Sequence, residues 1–513
     1  MEAATLGGRG GLASYAQTIR DAARARSRAF WIVAGLTLLA AALRFATLGV
    51  QSYHHDEIVT ASRILRGGFG HAMDAVGFSE SAPPLYYAIA WAWTQVTGTG
   101  EFGLRSISAL AGVATVPVAY LAARELRGRR AGLMAAALVA VNPMLLWYSQ
   151  EARAYSLFAL LCAVSLLYCV RALRRGRRRD VVLWGVASGL ALATHYFALF
   201  PIAAEALWLL RRRGRGSLPG LGIVGLFGLA LAPLAVHQMS IGHAEWIGNF
   251  SLGHRLWETA ATFVTGETSD IIARPERPAL SLVPIALVLA AMALLAFRSD
   301  REERRAVALP LTVALAAAGI PVLLALSSPS KDYVLARNVI PALIPLLIVV
   351  SIAVTLPAAR RAGAILAAAL LAYSFGFCVW ASVSPDLQRP DWSAVAAGLG
   401  EPRAPRATVT WALGEAPLRF YLSTGAIQVT PADGYDWLVH EVDFVSDGKV
   451  PPPPPRLLGP GFRETASEDT GRLFIRRFRR AGPGLAPLPL RRLRSAQLNF
   501  RTNGILLDGI GPG

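Results

Sequence analysis

Cysteine is scarce in this chain. Cys162, Cys169 and Cys378 are the only three, and all lie inside apolar stretches. That placement excludes a disulfide framework and a cysteine-based zinc site, and reads as packing. Charge is thin as well, at 16% of residues against 54% hydrophobic, with a mean hydropathy of 0.43. A soluble globular balance is excluded. Lysine is nearly absent, 2 of 51 cations, an arginine bias associated with GC-rich bacteria that favours a plasma membrane over an endoplasmic reticulum. No basic-aromatic stripe or nucleic-acid module accompanies the net charge of +18, so no nucleic-acid partner is implied. The chain also lacks paired halves, which disfavours a transporter built on internal repeats.

What the chain does have is long apolar segments. They run over about 29–50, 106–123, 131–147, 154–170, 181–194, 197–210, 218–236, 279–297, 306–326, 339–356 and 362–382. A helix crosses a bilayer with about 20 residues, about 17 at the lower end. The first segment follows a basic stretch, Arg20 to Arg28, and is too long for a cleaved signal core, so it reads as a retained span. The stretch 181–210 is flanked by arginines on both sides, which favours two crossings with a tip at His195-Tyr196. With the N-terminus inside, inner segments hold 25 Lys and Arg and outer loops eight, the bias expected of cytoplasmic loops. This topology puts the loop 51–101, the tip 148–153, His195-Tyr196, the loop 239–278 and the loop 328–338 on the outer side. The expected fold is all-α and polytopic, with about eleven transmembrane helices over 1–384. A small extracytoplasmic α/β domain follows over 385–480, with a helical pattern at Asp391 to Leu399 and strand-like alternation at Ala407 to Ala412, Trp437 to Phe444 and Leu473 to Phe478. The tail 481–513 has the Pro-, Gly- and Arg-rich composition of a disordered segment.

Chemistry-bearing residues concentrate on the outer side. Asp56 and Glu57 stand together in His54-His55-Asp56-Glu57, just past the first span, and acids at a membrane edge are candidates for function. Arg44, inside that span, either snorkels outward or balances the acids. Glu80 precedes Pro83-Pro84-Leu85-Tyr86-Tyr87, where the prolines fix an extended entry and the aromatics suit an interface. The tip Tyr148-Ser149-Gln150-Glu151-Ala152-Arg153-Ala154-Tyr155 is denser in polar and aromatic groups than a plain turn requires. Lys331 and Arg337 place two cations where a phosphate could be gripped, or where they could simply anchor head groups. Gly220, Gly222 and Gly225 match a dinucleotide pattern, but without a preceding strand they read as close helix packing.

A carboxylate pair, cations and aromatics beside lipid suit a lipid-linked phosphate ester. Displacement of that phosphate at a sugar carbon needs one base, assigned to Asp56 with Glu57 orienting it, and cations to stabilise the departing charge. In order along the chain, Leu43-Arg44, His55-Asp56-Glu57, the Pro83-Pro84 run, the 148–155 tip, Arg337 to Pro341 with Pro345, and Arg389-Pro390-Asp391-Trp392 resemble the GT-C glycosyltransferases. The resembling branch contains dolichyl-phosphate-mannose protein mannosyltransferases and lipid A aminoarabinose transferases.

The resemblance implies a polyprenyl-phosphate-sugar donor, an outward-facing site, Asp56 as base, Glu151 and Arg153 lining the cavity and Arg337 on the donor phosphate. Glu80, Tyr86, Tyr155, His195 and Tyr196 join Arg44 and Lys331 as candidate substrate-binding residues. Where the family commonly carries a histidine before the double proline, this chain has Ala82. No cofactor is fixed, although Asp56, Glu57 and Glu151 could bind a divalent metal. The acceptor is a glycan, lipid or protein of the envelope. The competing reading is a lipid-linked saccharide flippase or other transporter.

Overall fold

The structure, a computed structural model, describes residues 8–242, 245–268, 278–328, 332–422, 425–428, 437–447, 457–458, 461–488, 492–493 and 503–508. Its helices are α1 (Gly8–Phe45), α2 (His55–Ile58), α3 (Phe69–Ser79), α4 (Leu85–Thr97), α5 (Glu101–Arg127), α6 (Arg129–Ala140), α7 (Pro143–Ser149), α8 (Tyr155–Arg175) and α9 (Arg178–Thr194). They continue with α10 (Leu199–Arg213), α11 (Leu218–Ile241), α12 (Leu252–Thr265), α13 (Ala279–Arg298), α14 (Arg301–Ser327), α15 (Leu343–Val354), α16 (Arg360–Val383), α17 (Trp392–Leu399) and α18 (Ala412–Tyr421). The chain divides into two units, one of residues 1–46, 80–86 and 106–379, the other of 47–79, 87–105 and 380–513.

The first unit is a bundle of apolar helices. Each apolar segment read from the sequence is helical, and the protein is a multi-pass membrane protein. Among the described residues, seven helices are long and apolar enough to cross a bilayer, and eight if α6 and α7, bent by 55°, count as one span. α9, with 17 residues, is at the lower limit of a crossing, and α15, with 12, is shorter than one. Helices of similar composition are sorted by burial. α15 is apolar on every side and almost wholly buried, packed against α6, α13 and α14, as a central helix must be. α11 is also strongly apolar, yet Leu226, Leu229, Val236 and Met239 are 67–77% exposed, which suits a helix whose solvent is lipid.

Two breaks shape the bundle. α9 ends at Thr194 and His195 is extended (φ −157°), with its Nδ1 accepting the Phe197 N–H at 3.3 Å before α10 begins. This is the tip expected from the arginine flanks. The α6–α7 break starts afresh at Asn142, whose side chain accepts the Leu145 N–H at 3.0 Å, with Pro143 in the first turn. α9 and α11 touch at glycines, since a Cβ on Gly220 would lie 2.6 Å from the Val181 carbonyl oxygen and 2.8 Å from the Trp184 ring. Gly222 and Gly225 face open space, so only the first of the three glycines serves close packing.

The second unit is built on a six-stranded mixed sheet of order β2-β8-β1-β4-β6-β5, made of β1 (Arg406–Trp411), β2 (Ile427–Gln428), β4 (Glu441–Asp447), β5 (Phe462–Asp469), β6 (Leu473–Arg480) and β8 (Asn503–Asp508). A separate pair joins β3 (Leu438–Val439) to β7 (Ala486–Pro487). β1 and β4 run parallel and are buried on both faces, as central strands are. The fold does not end near residue 480. β8 lies within the segment expected to be a disordered tail, yet it pairs antiparallel with β1 and β2 because Ile505, Leu506 and Leu507 are all buried. Pro451 to Pro455 lies outside the described residues.

The unit also contains most of the first loop, residues 47–79 and 87–105, which the sequence reading grouped with residues 1–384. Ser52 Oγ donates to the Pro390 carbonyl (3.0 Å) and accepts the Trp392 N–H (2.9 Å), and Gln51 Oε1 accepts the Arg389 N–H (3.3 Å). The Tyr421 hydroxyl accepts the Tyr53 N–H at 2.7 Å and donates to Glu101 at 2.5 Å. The segment Arg389-Pro390-Asp391-Trp392 is thus the seam between loop and sheet domain, with the Asp391 side chain capping α17 through the Ser393 and Ala394 N–H groups (3.1 and 3.0 Å).

Candidate active site

In the second unit, the His54 N–H donates to Glu57 Oε2 at 2.9 Å and closes the first turn of α2. Glu57 is fully buried, and Arg105 grips it through Nε to Oε1 and Nη2 to Oε2, both at 2.8 Å. The remaining Arg105 donors reach the carbonyls of Leu48 (3.2 Å), Gln51 (2.7 Å) and Ser52 (3.0 Å), so all five are used. Burial by itself would raise the Glu57 pKa, but the charge and hydrogen bonds of Arg105, with the charge of Arg389, outweigh it and hold the carboxyl below the usual range. Both Glu57 oxygens are therefore committed within the fold, to Arg105 and to the His54 N–H.

Successive helical residues point about 100° apart, so burying Glu57 turns Asp56 onto another face, where it is half-buried. Beside it, burial lowers the His55 pKa, opposed by the Asp56 charge. The chain continues as a π-helical turn, Val59–Ile64, with the Leu65 N–H on the Thr60 carbonyl at 3.0 Å. Such windings are frequent at functional sites.

In the first unit, the Pro83-Pro84 entry and the 148–155 tip come together. Arg153 donates from Nη1 and Nη2 to the two Glu80 oxygens at 2.8 and 2.6 Å, while its carbonyl accepts from Ser108 Oγ at 3.2 Å. His195 stacks on Phe158 (centroids 4.6 Å apart, 10°) and lies 6.0 Å from the Tyr155 ring. Burial first, then the charges of Arg337 and Arg153, push its pKa down to about 3. Two arginines far apart in the chain thus act on one buried neutral ring. Tyr155 also packs edge-on against Tyr148 at 4.9 Å. The Tyr148 hydroxyl hydrogen-bonds Glu267. Burial lifts the Glu267 carboxyl to about 7, with Glu151 and Glu258 pushing the same way against the Tyr148 hydrogen bond and the Arg337 charge.

Arg337 lies over the Trp246 ring at 5.7 Å, and its loop is anchored by buried Arg255, which pairs with Asp332 (Nη1 to Oδ1 2.6 Å) and donates to the Val334 carbonyl at 3.0 Å. The Tyr196 hydroxyl donates to Gln238 Oε1 at 2.9 Å, and Gln238 Nε2 donates to the Ala82 carbonyl at 3.1 Å. The tip is thereby tied to the residue before the double proline.

The structure thus brings Glu80, Glu151, Arg153, Tyr155, His195 and Arg337 into one charged and aromatic cluster with Tyr148 and Glu267. Arg44 is corrected. It neither snorkels nor lines an open site, being fully buried and donating to Ser149 Oγ (3.1 Å) and the carbonyls of Ala140 (3.0 Å) and Val139 (3.4 Å). Those carbonyls end α6, where the bend removes their helical partners, and the guanidinium takes their place. Tyr86 is fully buried in the helix after the double proline, and Lys331 lies outside the described residues. Among the described residues, no group of three or more His, Cys, Asp or Glu side chains could hold a metal ion. Arg105, Gln238, Glu267 and the Arg255–Asp332 pair escaped the sequence reading. Only Arg105 gave a local signal, as a charge at the very edge of an apolar segment.

The family model described as dolichyl-phosphate-mannose-protein mannosyltransferase matches residues 81–237, which agrees with the resemblance read from the sequence. No curated protein matches the chain. Among solved structures, it is similar to the archaeal oligosaccharyltransferase AglB of Archaeoglobus fulgidus, in complex with an inhibitory peptide and a dolichol-phosphate, at 13% identity and a TM-score of 0.48, covering 78% of this chain. It spans 60% of that protein's chain. ArnT of Cupriavidus metallidurans bound to undecaprenyl phosphate matches at 15% identity and TM-score 0.38, over 87% of this chain and 97% of its own. The S. cerevisiae Pmt1-Pmt2 complex bound to the sugar donor matches at 18% identity and TM-score 0.32, over 42% and 33%.

Proposed function

We propose that this protein is a GT-C-type membrane glycosyltransferase of the plasma membrane, moving a sugar from a polyprenyl-phosphate donor to an envelope acceptor on the outer face. The observation that carries this reading is a buried cluster in which Arg153 forks onto Glu80 (2.8 and 2.6 Å), His195 stacks on Phe158 near Tyr155, and Arg337 lies over the Trp246 ring. Two fixed guanidinium groups suit a phosphate that departs with its charge. The family model over 81–237 supports a lipid-phosphate sugar as the donor class.

In the proposed reaction Asp56 accepts the acceptor's hydroxyl proton. The acceptor oxygen forms its bond to the anomeric carbon as the bond from that carbon to the phosphate oxygen breaks. The polyprenyl phosphate leaves with the electron pair, its charge met by Arg337 and Arg153. Glu57, locked by Arg105, sets the turn that carries Asp56. Glu151 and Tyr155 line the sugar's surroundings. A single displacement inverts the anomeric centre. Incubating the purified protein with a panel of polyprenyl-phosphate sugars and an envelope extract tests the proposal. Transfer with inverted configuration is expected. A retained configuration would instead mean a covalent intermediate, and donor transport without any transfer would mean a carrier.

A further inference from the structure

A second basic site lies at the other end of α15 from Arg337. A cavity of about 470 Å³ opens between the end of α5, the start of α6, the start of α14 and the end of α15. Its walls carry Arg127, Arg129, Arg130 and Glu303, with Thr355 and Leu356 completing one side. Three arginines against one glutamate leave the lining positive. Arg127 is held by Glu303 (Nη2 to Oε1 3.1 Å) and Glu302 (3.5 Å), which fixes its guanidinium, while its buried Nε meets no acceptor among the described residues. Arg129 and Arg130 form the first turn of α6, which has no acidic residue and no side-chain cap at Gly128. The positive end of that helix adds to the arginines.

The geometry points to a binding site for a phosphate-bearing anion, delivered as the head group of an anionic glycerophospholipid. The chemistry is that of a phosphate diester, which arginines grip through paired N–H groups. A lipid rather than a free ion is favoured because the cavity sits at the ends of membrane-spanning helices, and Leu356 gives it an apolar wall. Basic pockets between spanning helices recognise lipid head groups in this way. The site uses none of the residues assigned to sugar transfer.

Native mass spectrometry on the delipidated full chain tests this with dioleoyl phosphatidylglycerol, dioleoyl phosphatidylcholine and soluble glycerol 1-phosphate as probes. Phosphatidylglycerol is expected to bind in preference to phosphatidylcholine and to resist displacement by glycerol phosphate. Affinity should weaken about fivefold for each arginine removed in R129Q and R130Q, and about 25-fold in the double variant. Equal binding of the two lipids, or unchanged phosphatidylglycerol affinity in the double variant, overturns the site. Displacement by glycerol phosphate at matched concentration overturns the lipid assignment and leaves a soluble phosphate ester as occupant.

Discussion

Two arginine–glutamate pairs, one in each unit, share a bidentate geometry and differ in openness. In Glu57–Arg105 the side chains are 0% and 1% exposed, and the arginine spends every N–H on the carboxylate or on backbone carbonyls. In Glu80–Arg153 they are 5% and 12% exposed, and the pair stands beside His195, Tyr155 and Arg337. A saturated, dry pair is scaffold, because any exchange would strand a charge without water. A pair at the edge of a charged cluster can trade one partner for a ligand. Position in the burial gradient, and not residue type, separates the two pairs.

The comparison breaks most directly through stability. Glu57→Gln leaves the Arg105 charge buried and should cost about 3–5 kcal/mol, read by denaturant unfolding in detergent. Glu80→Gln should cost only about 1–2 kcal/mol, and equal losses would erase the distinction. Next in size, Asp56→Asn should lower transfer by about 10²–10⁴-fold while the melting temperature stays within a degree or two of the parent. Full activity in that variant removes Asp56 from the base role.

A pH series sharpens the contrast further. The Glu57 pKa is depressed, so its contribution is complete above the ordinary carboxylate range and disappears as pH falls through the folded value. The Glu267 pKa is raised to about 7, so the group favours folding when protonated and works against it as pH climbs from the ordinary carboxyl range past that value. Glu267→Gln should therefore gain about 2 kcal/mol relative to the parent between pH 5 and pH 8 and flatten that limb. A parent profile without this slope would place the carboxyl in contact with water. The smallest expected effect is Arg337→Lys, which keeps the charge and loses the fork, and should weaken donor binding about five- to tenfold with little change in melting temperature.

Much of this was legible beforehand. Arginine flanks around 181–210 located the break at His195, because positive loops avoid crossing and a 30-residue straight helix is too long for the bilayer. Alternation over Leu473 to Phe478 located β6. The polar density of Tyr148 to Tyr155 flagged the cluster that Arg153 and Tyr155 join. By contrast, Glu57 and Arg105 are 48 residues apart, and nothing in either segment says that the first turn of α5 meets α2. Glu267 stood in a long loop with no periodicity to mark its burial. β8 was hidden by the composition around it, since three buried residues, Ile505 to Leu507, outweigh a Pro- and Gly-rich neighbourhood.

Local order, then, came from the sequence itself: where helices start and stop, which faces are apolar and which short motifs hold acids and cations. These are short-range matters of backbone geometry and transfer to lipid. Whether an ionisable side chain serves as scaffold or stays available for chemistry was settled only by tertiary structure. That choice depends on which distant partners satisfy its hydrogen bonds and how much water remains, as Arg44 at the end of α6 and Glu57 on Arg105 both demonstrate.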